Sequence, residues 1–165
     1  MMNNPEFKTK ITQYLDQQQV KYRLLPHQSP AKTVEDAAKQ RGIQTEQMVK
    51  CILLRDMSNR YALACTAGNT SVDPKKVRAI LGWRRMTCAE IDKVEPITGY
   101  VIGTVTPINL KTEMPILFDK SILTQNDVTI SSGSKMAGIC LKRVDLENLV
   151  KPLISNIQRD PKPTM

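Results

Sequence analysis

Met48-Val-Lys-Cys-Ile-Leu-Leu54 is a run of seven residues in which only Lys50 is charged. So short an apolar run suits a central strand of a sheet, since a helix needs about ten residues or more. Alternate side chains of a strand share a face, which groups Lys50 with Met48, Ile52 and Leu54. A lysine among apolar neighbours is costly unless it snorkels to water or meets an anion. Two readings follow for Lys50. It stands at an edge with its amine in water, or it is a cation held in a pocket for a phosphate or a developing oxyanion.

Outward from this strand the chain alternates helix and strand signals. Asn4-Pro5 resembles an N-cap with proline at the first helical position, ahead of Phe7, Ile11, Tyr14 and Leu15 at helical spacing. Residues 21–25 read as a strand. Thr33-Val-Glu-Asp36 opens a second helix that Gly42 stops. Residues 61–67 are another strand. Asp73-Pro74 opens a third helix and Gly82 closes it, and Thr87-Cys-Ala-Glu90 is a capping box for a fourth. Residues 115–118, 128–131 and 139–141 read as strands and 144–150 as a last helix. Adjacent strands towards the end favour α+β over a strict βαβ alternation. One domain is expected over residues 1–157, with a polar, proline-containing tail at 158–165 that reads as disordered.

Composition sets bounds on function. The 165 residues carry a net charge of +8, which points to an acidic partner, most simply nucleic acid. No apolar run approaches the roughly 20 residues of a membrane helix, and the N-terminus has no signal-peptide pattern. The expected location is the cytoplasm, without a membrane partner. The four cysteines, Cys51, Cys65, Cys88 and Cys140, form no C-x-x-C pair, and His27 is the single histidine. No metal or cofactor is expected from so sparse a ligand set. Cys51, Cys65 and Cys140 lie in apolar stretches and read as small hydrophobes.

Three further segments bear on chemistry. In Thr98-Gly-Tyr-Val-Ile-Gly-Thr-Val-Thr-Pro107, Gly99 and Gly103 permit close backbone approach to a ligand and Pro107 stiffens the exit. A glycine-containing hairpin explains the same residues. Ser131-Ser132-Gly133-Ser134 reads either as a turn or as a hydroxyl at a pocket edge. No G-x-S-x-G elbow is present, and His27 suits a pocket rim better than a catalytic base. Finally, Lys75, Lys76, Arg78, Arg84 and Arg85 place five positive charges and no acid in residues 74–85. Such residues neutralise phosphates. Trp83 among them reads as core or, if exposed, as a platform on which a base stacks.

Taken in order, these pieces resemble the YbaK/ProX-type aminoacyl-tRNA deacylases, which are related to the editing domain inserted in bacterial prolyl-tRNA synthetases. The matching pieces are residues 22–27, 33–38, 48–54 around Lys50, 73–76, the loop from Thr98 through Gly103 to Pro107, residues 131–133 and the strand and helix of 139–149. The resemblance implies a mixed α+β fold with a β-barrel-like sheet and surrounding helices. It implies hydrolysis of the ester of a mischarged aminoacyl-tRNA, with tRNA for proline carrying cysteine, alanine or another small residue as substrate and prolyl-tRNA synthetase as a further partner.

Lys50 falls where that family keeps its essential lysine, and Gly103 and Pro107 fall on its G-x-x-x-P loop. Ser131 matches a pocket serine, with Ser132 one residue away, and Gly133 follows. Tyr22, His27, Thr33, Thr98 and Gly99 match pocket-side positions. An aminoacyl ester is already activated, so a positioned water or substrate group and a stabilised oxyanion suffice. The implied reaction is substrate-assisted. Two rivals remain: a tRNA- or synthetase-binding module without turnover, and a hydrolase of some other small ester or amide.

Overall fold

The 48–54 run lies inside a strand. In the computed structural model, which describes residues 7–161, the first three strands are β1 (Tyr22–Pro26), β2 (Val49–Asp56) and β3 (Tyr61–Ala67). β2 and β3 form an antiparallel hairpin with Lys50 opposite Thr66. β4 (Met86–Cys88) pairs with β2 only at its far end, through Leu54, Arg55 and Asp56. On the other side β3 pairs in parallel with β5 (Ile116–Asp119). β6 (Asp127–Ser131) and β7 (Ala137–Lys142) form a second hairpin, and β7 also pairs with β1. β8 (Leu153–Ser155) pairs in parallel with β5.

The result is a sheet in the order β1-β7-β6 and a second in the order β4-β2-β3-β5-β8. A parallel bridge between Met48 and Thr129 joins them at the mouth of β2. The α+β class is therefore as expected. Its sheets are two and open, and no closed barrel forms among the described residues.

Five α-helices, each of eight residues, surround the sheets: α1 (Lys10–Gln17), α2 (Val34–Arg41), α3 (Pro74–Leu81), α4 (Ile91–Thr98) and α5 (Arg143–Val150). Eight-residue helices are too short to persist alone, so apolar faces hold them. Ile11 and Leu15 of α1 and Leu146 of α5 are fully buried with Phe118, Ile130 and Ile139 in one core. Val77 of α3 packs with Leu54, Ala62, Leu117 and Ile157 in a second, with Trp83 against it. Trp83 also lies 4.5 Å beneath the Arg60 guanidinium, a stacked cation rather than an exposed base platform. Ala37 and Ala38 of α2 pack on Met48. None of these helices is long and apolar enough to cross a membrane.

Local signals set most helix ends. Thr33 and Asp73 cap α2 and α3 with side-chain hydrogen bonds, and Gly42 and Gly82 end them at φ of 71° and 67°. Two expectations differ. The expected first helix begins later, at Lys10 under a Thr9 capping box, and Asn4-Pro5 lies outside the described residues. The expected Thr87–Glu90 box does not form: Thr87 is in β4 opposite Arg55, and α4 starts at Ile91 after an N-cap, Glu90, that makes no side-chain capping bond. Backbone pairing along an open strand edge outweighs one local capping bond.

Beyond β8 the chain remains attached. Buried Asp119 accepts from the backbone N–H of Ile157 at 2.7 Å and of Gln158 at 3.1 Å, and Arg159 N–H donates to Ser71. Residues 162–165 lie outside the described part.

Candidate functional site

β2 meets open space along the edge that β4 leaves uncovered. A cavity of about 530 Å³ lies there, within the roughly 300–1,000 Å³ of small-molecule sites. Residues of both strand faces, from Met48 to Leu53, line it because it abuts the strand edge rather than one face. α2 and the loop before it close one side through His27, Lys32, Thr33, Ala37 and Arg41. Cys88, Ala89, Ile91 and Val94 close another, and Ile102, Gly103, Val105, Ser131, Ser134 and Lys135 complete the wall.

Among the described residues the lining contains Lys32, Arg41, Lys50 and Lys135 and no aspartate or glutamate. Among the described residues no cluster of His, Cys, Asp and Glu could hold a metal ion. Lys50 is half-buried and its ammonium donates to the Thr70 carbonyl oxygen. Desolvation lowers its pKa, opposed by the nearby Glu35 carboxylate. A cation kept partly out of water with only a carbonyl as hydrogen-bond partner retains donors for an incoming oxygen.

His27 is buried. Its Nε2 lies 3.1 Å from the donating Arg41 Nε–H, so Nε2 is the acceptor. Nδ1 therefore carries the proton and donates to the Lys135 carbonyl oxygen at 2.7 Å. Burial lowers the His27 pKa, the bond to Lys135 opposes this, and the Arg41 charge lowers it further. A neutral imidazole whose two nitrogens are both engaged positions its neighbours. Arg41 also donates to Thr129 Oγ1 at 3.0 Å.

Gly103 has φ of 86°, the left-handed region that favours glycine. It lies inside a turn closed by Thr104 N–H to the Val101 carbonyl oxygen at 2.9 Å. The Gly103 N–H has no protein acceptor among the described residues, which suits it to an oxyanion. Ser131 ends β6 at the cavity wall, and its Oγ accepts from the Gly133 N–H at 3.0 Å.

Lys50, Gly103, Ser131, His27 and Thr33 thus meet around one cavity, although the Thr33 hydroxyl is spent on the Asp36 N–H. Six other expected pocket residues do not line it. Thr98 is fully buried, donates to Val94 and ends α4, with Gly99 as its left-handed cap. Pro107 is buried behind the loop. Ser132 is fully buried and donates to the Ala137 carbonyl oxygen at 2.7 Å. Gly133 lies against Tyr100 and Ile11. Tyr22 stands on β1 opposite Leu141; burial first, then Asp16, raises its phenol pKa to about 12.

Lys75, Arg78, Arg84 and Arg85 are exposed, whereas Lys76 donates to the Gln158 carbonyl oxygen and pairs with Asp160 at 2.7 Å. None of these five lines the cavity; Arg85 lies three residues before Cys88, which does.

Sequence reasoning missed Arg41, Lys135 and Cys88 as cavity residues. Arg41 closes a helix, where a basic residue is favoured by the helix dipole and attracts no notice.

The aminoacyl-tRNA editing domain family matches residues 28–149. The prolyl-tRNA editing protein ProX of Acetoanaerobium sticklandii is 25% identical, over 87% of this chain and 90% of that one. The multifunctional Ser/Thr-tRNA deacylase ProXp-y of Escherichia coli K12 is 21% identical, over 91% and 92%. A crystal structure of a candidate trans-editing enzyme for prolyl tRNA synthetase superposes with a TM-score of 0.80 at 21% identity, covering 92% of this chain and 96% of that one.

Proposed function

Since the chain belongs to the aminoacyl-tRNA editing domain family, we propose that it is a deacylase that hydrolyses the ester of mischarged aminoacyl-tRNA in trans. The observation that carries this reading is the meeting of Lys50, Gly103 and Ser131 around a cavity whose lining, among the described residues, has four cationic side chains and no carboxylate. Such a wall favours the 3′ end of a nucleic acid. In this reading the preferred substrate is tRNA for proline bearing cysteine, alanine or another small residue; the likeness to a prolyl-tRNA editing protein supports the choice of tRNA. Prolyl-tRNA synthetase is the natural partner, and the cytoplasm the natural location.

In this reading the ester carbonyl lies against the Gly103 N–H, which stabilises the oxyanion as it forms. Lys50 holds a phosphate or carbonyl oxygen and does not attack. Ser131 binds substrate at the wall. The proton leaves the attacking water towards a group of the substrate, the ribose hydroxyl or the amino acid's own side chain. His27 is not free to act as the base, since both of its nitrogens are engaged. Lys75, Arg78, Arg84 and Arg85 neutralise phosphates of the acceptor stem.

The test is a deacylation screen in which amino acid and tRNA are varied separately, against a control without enzyme. Release of small residues from tRNA for proline, with prolyl-tRNA spared, is expected. Equal hydrolysis of prolyl-tRNA overturns the specificity. Binding of tRNA without turnover of any ester replaces the enzyme with a binding module.

A further inference from the structure

Arg41 is the least expected group in the cavity. It is partly buried and belongs to none of the ion pairs among the described residues. Desolvation brings its pKa down to about 10. Its nearest acidic neighbour in sequence on α2, Asp36, is engaged by the Lys32 N–H and the Gln40 amide.

A guanidinium has five N–H donors. One serves His27 Nε2 and one serves Thr129 Oγ1, which leaves three without an acceptor among the described residues. Those two bonds hold the planar group in one orientation against β7. The fit there is close: a Cβ at Gly138 would lie 2.1 Å from Arg41 Nε. A withdrawn charge without a counter-ion is costly, and a pinned guanidinium with spare parallel donors matches an oxyanion bidentately. Lys50 lies two residues along β2 from Met48, which bridges Thr129, about 7 Å of strand away.

We infer that Arg41 is a substrate-binding residue whose free N–H groups receive the phosphate of the tRNA's terminal nucleotide. This rests on the editing reading above, because it is that substrate which brings a phosphodiester to an ester-cleaving cavity. Gly138 is the matching positioning residue: its missing side chain is the space in which the guanidinium lies. His27, in its Nδ1-protonated form, sets the angle of Arg41 and contributes no charge.

The experiment compares binding of adenosine 5′-monophosphate and of adenosine by calorimetry, with thermal melts alongside. The wild-type protein should prefer the monophosphate by about 10- to 100-fold, the range of one charge-assisted contact. Arg41→Gln should remove most of that preference while leaving adenosine binding in place, and Arg41→Lys should keep part of it. Gly138→Ala keeps every charge but displaces the guanidinium, whose flexible end yields more easily than the strand, so it should lower the preference as well. It is also the variant to read if Arg41→Gln does not fold. Equal binding of the two compounds by the wild type, no binding of either, or an unchanged preference in both variants overturns the inference. A preserved preference in a protein that deacylates no tRNA upholds the phosphate site and overturns the editing reading alone.

Discussion

Ser131 and Ser132 are neighbours in sequence and face opposite environments. Ser131 Oγ lies at the cavity wall, accepting from Gly133 N–H, while Ser132 Oγ is fully buried and donates to the Ala137 carbonyl oxygen. Strand alternation at the end of β6 separates them. Ser131→Ala should therefore leave the melting curve unchanged and weaken deacylation. Ser132→Ala should cost about 1–3 kcal/mol by stranding a buried acceptor. Thermal melts and rates of the two purified variants check this, and the reverse pattern would place the substrate on the other serine.

Lys50 should matter to turnover far more than to folding. Its ammonium is partly desolvated and bound to a single carbonyl oxygen. Lys50→Ala should keep a normal melt and lose about 100- to 1000-fold in single-turnover rate, the usual effect of removing one preorganised donor. Lys50→Arg should not restore the rate fully, because the guanidinium is larger and planar. A folded Lys50→Ala with near-wild-type rate would make it a snorkelling edge lysine.

The tRNA surface should be read by charge reversal at Lys75, Arg78, Arg84 and Arg85. These are exposed, and their loss should scarcely touch stability. The quadruple glutamate variant should bind tRNA more weakly and with a shallower salt dependence. Lys76 belongs outside this set, because it is tied to Gln158 and Asp160, so Lys76→Glu should disturb the C-terminal attachment. Unchanged affinity and salt slope in the quadruple variant would move the tRNA elsewhere.

His27 should make stability depend on pH on the acid side. Burial lowers its pKa from 6.5 in the folded state, so between the folded value and 6.5 the unfolded chain binds more protons. Stability then rises with pH through that window and levels off above 6.5. Below it, a protonated ring would lose its acceptor nitrogen and stand beside Arg41. Melting temperature against pH should show a slope just below 6.5 that His27→Gln removes. A slope that persists in the variant would assign it to other groups.

Residues 34–41 and 74–81 were legible as helices because their end signals are local: Thr33 and Asp73 bond N–H groups two or three residues away, and Gly42 and Gly82 adopt positive φ. β2 and β3 were legible from apolar content alone, because a strand buried in a sheet needs no partner to announce it. β4 and β8 were not. Each is three residues long and exists only because β2 and β5 present an unpaired edge. The resemblance named Lys50, Gly103 and Ser131 as site residues, and all three lie on the wall of one cavity.

By itself the sequence determined the α+β class, the capped helices, the basic segment and the charge of Lys50 in an apolar strand, since each depends on residues within a few positions of one another. Tertiary structure alone decided which side chains face the cavity. Thr98, Pro107 and Ser132 turned to the interior because their backbones or hydroxyls complete the α4 cap, the loop and the β6–β7 turn. Arg41 entered the cavity because Gly138 on β7 leaves it room and His27 and Thr129 hold it there. The Arg41 contacts join residues 14 to 97 positions apart, and no local pattern encodes a packing that distant strands create.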